Sequence, residues 1–131
     1  GKKAETIRNF LCNKLKKCDV VICLIGKDTY SRPHVDREIH TALKGDIGTR
    51  LGIVGVHLPT RADAINRIDL STFPTKLWDN REYVVWSDWN GLGSSIRSLI
   101  EEAHQRSYNS KYQTNHKNPC MPLRTTLYYD N

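Results

Sequence analysis

The sequence predicts an α/β domain built on a parallel sheet with flanking helices. Three observations carry that prediction. The run Val20-Val21-Ile22-Cys23-Leu24-Ile25 is apolar on both faces, as a buried parallel strand is. Helical-period and apolar stretches follow one another as helix, strand, helix, strand, loop, strand, helix. Parallel strands joined by crossover helices produce that alternation.

The first helix is expected over Ala4–Lys17, where Ile7, Phe10, Leu11 and Leu15 repeat at helical spacing. Asp19 leads into the first strand, which Gly26 ends. A loop from Lys27 to Pro33 precedes the second helix, which runs from Ser31 or Pro33 to Lys44. Ser31 suits its N-cap, and proline is tolerated in a first turn. Val35, Ile39, Ala42 and Leu43 form the buried stripe, with Val35 at its centre, and Gly45 is the stop. Leu51–Leu58 reads as the second strand, closed by Pro59; its Gly52 and Gly55 imply close backbone approach. Thr60–Asn80 reads as irregular, with one short helix at Arg61–Asn66. The third strand is expected over Tyr83–Trp86. The third helix is expected from Gly93 or Ser94 to Gln105, with Ile96, Leu99, Ile100 and Ala103 inward.

This places an α/β domain at 1–106 and a polar C-terminal extension at 107–131, where Leu123–Tyr129 suits an edge strand. The first strand reads as central, yet nothing before it pairs with it. The domain is therefore expected to be the later portion of a larger sheet, incomplete on its N-terminal side, or covered by the tail or a second subunit.

Composition narrows the function classes. With 38% hydrophobic and 26% charged residues in 131, the chain is globular, not disordered. No apolar run approaches a membrane span, and no signal-peptide pattern is seen, so no membrane partner is expected. Cys12, Cys18, Cys23 and Cys120 form no C-x-x-C pair, which argues against a disulfide framework and for the cytoplasm. His116-x-x-x-Cys120 is half a metal site; a closed zinc site needs four ligands, so no metal is expected. The net charge of +6 favours anionic partners, although a solvated lysine-rich surface gives the same balance. Lys14, Lys16 and Lys17 with the tail tyrosines are all that points to nucleic acid, and no recognised motif joins them.

The candidate site is the loop and helix start Gly26–Glu38. In open parallel sheets, ligands bind beyond the carboxyl ends of the strands. A helix start there offers free N–H groups and a positive dipole end to a phosphate. On a wheel of about 100° per residue, Glu38 lies roughly 60° from Val35 and His34 roughly 100° to the same side. Ser31 falls near them. Asp36 falls roughly 100° to the other side. A carboxylate bordering a buried face is a candidate for acid/base or charge-stabilising work. An ordinary first-turn acid favouring the helix dipole satisfies the same pattern.

The stretch Ile7-Arg8…Leu15-Lys16-Lys17-Cys18-Asp19 through Gly26, then Thr29-Tyr30-Ser31 and Val35-Asp36-Arg37-Glu38-Ile39…Ala42-Leu43, resembles the TIR-like family of bacterial antiphage defence, the ThsB-type proteins of Thoeris systems. The resemblance implies a flavodoxin-like fold. In active members it implies cleavage of NAD at the nicotinamide–ribose bond, giving ADP-ribose or a cyclic isomer that acts as a signal. NAD is then substrate, and no cofactor is implied. By the resemblance Glu38 is the catalytic carboxylate, with Ser31, His34, Lys27 and Tyr30 around the substrate. His34 stands where the family usually has tryptophan. Three readings remain at this point: an NAD-cleaving signalling domain, a non-catalytic module that self-associates through its sheet edge or helices, and, on charge, the lysine cluster and the tail tyrosines alone, a nucleic-acid-binding domain.

Overall fold

The computed structural model describes residues 19–45, 47, 49–60 and 69–116. The helix expected over Ala4–Lys17, the short helix at Arg61–Asn66 and the strand at Leu123–Tyr129 lie outside the described residues. The described elements run β1 (Val20–Ile25), a 3-10 turn (Thr29–Ser31), α1 (Pro33–Leu43), β2 (Gly52–His57), a second 3-10 turn (Leu70–Thr72), α2 (Thr75–Asp79), β3 (Val85–Asp88) and α3 (Trp89–Tyr108). The three strands form one parallel sheet in the order β1-β2-β3. Val20 pairs with Gly52, and Ile25 with His57. His57 pairs in turn with Asp88. The carboxyl ends of all three strands therefore share one edge.

Among the described residues, β2 is the central strand of the sheet. All six of its residues are buried. Alternation along it feeds two cores. Ile53 joins Ile25, Ile39, Ala42, Leu43, Phe73, Leu77, Tyr83 and Val84 on the α1–α2 face. Val54 and Val56 join Val85 and Ala103 on the α3 face. The apolar pattern of β1 suggests cover on both faces, but β1 is the outer strand and mostly half-buried, with Leu24 47% exposed. The reason is the placement of α3, which packs mainly over β2 and β3. Among the described residues, no strand pairs with the outer edge of β1.

Both glycines of β2 are explained by close approach. A Cβ on Gly52 would collide with the Ala103 carbonyl of α3, and one on Gly55 would meet the Trp86 ring at 2.7 Å. Gly45, with φ 156, follows the end of α1 as expected of a stop. A Cβ there would sit 2.9 Å from the Arg50 nitrogen.

Four features differ from expectation. The stretch before β3 is not wholly irregular, since it holds α2 and the turn before it. The N–H groups of Tyr83 and Val84 both donate to the Asn80 carbonyl, so neither joins the ladder and β3 begins at Val85. α3 begins at Trp89 because the Asp88 carboxylate accepts from the Gly91 N–H at 2.6 Å. That cap outweighs the helix cost of Gly91 and Gly93. Ile96, expected inward, is 38% exposed, while Ala103 and Ser107 are buried.

Arg50 holds the far end of α3. Its guanidinium donates to the carbonyls of Ser107, Arg106 and Asn109 at 3.0–3.1 Å, supplying partners the last turn lacks. It also lies 4.7 Å from the centre of the Tyr83 ring. The Tyr83 hydroxyl donates to the Leu51 carbonyl at 2.6 Å. Burial pushes that phenol up to about 12 against the opposing pull of Arg50. Beyond α3, the chain returns to the domain. Asn80 and Asn115 exchange two hydrogen bonds, at 2.6 and 2.9 Å.

Gly52→Val is expected to destabilise the chain by about 1–3 kcal/mol, through overpacking against α3. Gly93 is exposed, and a methyl group there would meet nothing within 4 Å. Gly93→Ala is therefore expected to stabilise by about 0.5–1 kcal/mol. Urea midpoints at unchanged m-value measure both, and equal midpoints for the two variants would contradict the packing.

Candidate functional site

The site is built at the carboxyl edge, where β1 leaves the sheet. Gly26 is buried, and its N–H donates to the Thr29 hydroxyl at 2.8 Å. The same hydroxyl reaches the Leu24 carbonyl at 3.5 Å, so Thr29 folds the loop back on the end of β1. The Ser31 and Arg32 N–H groups donate to the Asp28 and Thr29 carbonyls within the 3-10 turn. Pro33 then opens α1 without an N–H. Arg32, not Ser31, occupies the N-cap position, and no side chain caps the helix. Ser31 instead donates its hydroxyl to the Asp28 carbonyl at 3.0 Å. The expected cradle of free backbone amides is narrower than the sequence suggests, because several donors close the turn itself.

The expected site residues take different places. Lys27 and Ser31 are exposed; Tyr30, His34 and Glu38 are half-buried. His34 and Glu38 are one helical turn apart on α1 and share a flank. Tyr30 falls on the other side of the helix start. It borders a shallow depression with Thr29, Val35, Asp36, Ile39 and residues 74–76.

The buried stripe of α1 is rotated from expectation. Pro33, Asp36, Ile39, Ala42 and Leu43 are buried, while Val35 is only half-buried. The stripe is centred between Ile39 and Leu43, which brings Asp36 inside. Its carboxylate accepts from the Lys76 ammonium at 2.8 Å, with the two side chains 8% and 5% exposed. Sequence reasoning misses this pair. Asp36, Ile39 and Leu43 do stand at helical spacing, but a carboxylate among them reads as surface unless its cation is known. Lys76 lies in a stretch that reads as irregular.

Other groups border this helix and edge. His57, the last residue of β2, is buried and stacks on Phe73, with ring centres 5.8 Å apart; Trp86 lies 5.6 Å away. His40, near the other end of α1, has its ring centre 6.2 Å from that of His116. Desolvation lowers its pKa first, then the charges of Lys76, His116 and Lys44, while Asp36 opposes them. Cys23, beneath α1, is pushed up to about 12 by burial, which makes it a packing group and not a nucleophile. No group of three or more metal-ligating side chains is found among the described residues.

With that geometry in place, residues 1–63 match the family model of the Thoeris protein ThsB, TIR-like domain. That match, over a little under half of the chain, is consistent with a TIR-like domain of the ThsB type. The matched stretch contains β1, its loop and α1, and so every residue of the candidate site from Lys27 to Glu38. An open parallel sheet with flanking helices is the architecture a TIR-like, flavodoxin-like fold requires. No curated protein and no solved structure matches the chain. Among the described residues, no helix is long and apolar enough to cross a membrane.

Two outcomes follow from the charges around α1. Lys76→Met removes the cation from a buried carboxylate and is expected to cost about 3–5 kcal/mol, read as a drop in the urea midpoint. The lowered His40 pKa means that the folded chain binds fewer protons than the unfolded chain. Its contribution is complete above the ordinary value of 6.5 and is lost as pH falls through the lowered folded value. Thermal midpoints taken between about pH 7 and pH 5 should fall less steeply in His40→Gln than in wild type; parallel slopes would remove His40 as the cause.

Proposed function

We propose that this TIR-like domain cleaves NAD at the nicotinamide–ribose bond, giving ADP-ribose or a cyclic isomer that serves as a defence signal. The observation that carries this reading is Glu38. It is a half-buried carboxylate on the helix that follows the carboxyl end of β1, inside the stretch that matches the ThsB-type model. The chemistry needs one such group. Nicotinamide leaves NAD as a neutral molecule, so no general acid is required. The ribosyl centre left behind is oxocarbenium-like, as in glycoside hydrolysis. A carboxylate beside it offsets the developing positive charge and orients the ribose hydroxyls. Water then completes hydrolysis, or an internal nucleophile completes cyclisation if water is excluded.

In this reading Ser31, His34 and Lys27 border the substrate, while Tyr30, across the helix start, is set apart from them. Lys27 is an exposed cation beside the loop, suited to the pyrophosphate. His34 shares the flank of Glu38 and supplies a smaller ring where a tryptophan is usual in the family. A cytoplasmic location, where NAD is available, fits the unpaired thiol of Cys23.

The second reading is a non-catalytic module that associates with copies of itself. The observation favouring it is β1, the outer strand of the described sheet, whose Leu24 is 47% exposed.

Nicotinamide release from NAD by the full-length native protein separates the two. Release is expected from wild type, and Glu38→Gln should slow it by about 100-fold or more at unchanged unfolding midpoint. Wild-type protein that releases nothing in any oligomeric state sinks the enzyme reading. Release untouched by Glu38→Gln keeps the enzyme and removes Glu38 from it.

A further inference from the structure

We propose that the buried Asp36–Lys76 pair sets the rotation of α1 about its own axis, and so acts as the positioning pair for Glu38. This rests on the reading of Glu38 as the group that acts on substrate. Asp36 and Glu38 lie on one helix, roughly 160° apart around its axis. One end of that lever is fixed and the other faces the site. Asp36 meets Lys76 at 2.8 Å, and both side chains are almost wholly buried. Lys76 belongs to α2, which packs directly against α1.

Apolar packing alone holds α1 loosely in rotation. Ile39, Ala42 and Leu43 present similar surfaces over a wide arc, and Val35 is half-buried at its margin. A small roll of the helix would exchange one apolar contact for another. A charge pair does not tolerate that exchange. Rolling α1 draws the carboxylate from the ammonium and leaves both desolvated, so one angle is selected. Register selection is the best attested use of a buried ion pair, whose net contribution to stability is often small. The observed stripe, centred between Ile39 and Leu43, takes in Asp36, and its carboxylate meets Lys76 there. Glu38 and His34 take their half-buried places on the opposite flank as a consequence.

The test replaces the pair by apolar residues of similar size, Asp36→Leu with Lys76→Met, in the full-length protein. A second variant exchanges the charges, Asp36→Lys with Lys76→Asp. The neutral pair is expected to unfold at or above the wild-type midpoint. Its α1 amides should nevertheless exchange with solvent about tenfold faster than in wild type. Its kcat for nicotinamide release should fall by about 10- to 100-fold, with KM changed by less than about twofold. The exchanged pair should recover slow amide exchange and most of kcat. If the neutral pair does not fold, Asp36→Asn keeps the size and a hydrogen bond while removing the charge, and carries the same readouts. Wild-type amide exchange in the neutral pair overturns the proposal. Faster exchange with undiminished kcat overturns it as well. If wild type releases no nicotinamide, the proposed function falls, and amide exchange alone decides whether the pair locks α1.

Discussion

The domain depends on the burial of β2 from both sides. Six consecutive residues of that strand are out of solvent, and they contribute alternately to two cores. Two glycines make this possible. At Gly52 the backbone of α3 replaces a side chain, and at Gly55 the indole of Trp86 does. α3 is thus positioned against β2 at contact distance, while the Trp86 ring fills the space over Gly55 on the other face. Arg50, two residues before β2, ties the same strand to the end of α3 by holding three carbonyls there. The carboxyl edge inherits its rigidity from this arrangement. Ile25 and His57, which mark the edge, are both buried.

Much of this is legible in the sequence, and the differences have physical causes. β1 matches its apolar run to the residue, because a run bounded by Asp19 and Gly26 has little freedom in its ends. The glycines of β2 are the points of close approach that their place in a strand implies. β3 starts two residues later than its apolar pattern. Apolar Tyr83 and Val84 look like strand, but their N–H groups are taken by Asn80, a contact no local pattern reveals. The start of α3 is hidden by Gly91 and Gly93, which argue against helix until the Asp88 cap is seen. At the candidate site, the loop and the shared flank of His34 and Glu38 are legible. The rotation of α1 is not, because its deciding contact joins residues forty positions apart in sequence.

The site and the fold are therefore not independent layers. α1 belongs to the core through Ile39, Ala42 and Leu43, and to the candidate site through Glu38. Between them stands a polar pair that stabilises little by itself but penalises every other rotation. The same helix carries His40 close to Lys76, Lys44 and His116, so its far end feels a concentration of positive charge while its start faces the sheet edge. A domain whose match to the ThsB-type model spans this helix concentrates both its folding constraint and its candidate chemistry within one element.

The loop before α1 has a consequence for how anions are held. Thr29 occupies the Gly26 amide, the 3-10 turn occupies those of Ser31 and Arg32, and Pro33 has none to give. Lys27 and Arg32 are the exposed cations at this loop. Charges on flexible, solvated stems are screened over about 10 Å at 0.1 M salt, whereas desolvated amides at a helix start are not. Any pull of this loop on an anion would thus depend on ionic strength, because Lys27 and Arg32 are exposed.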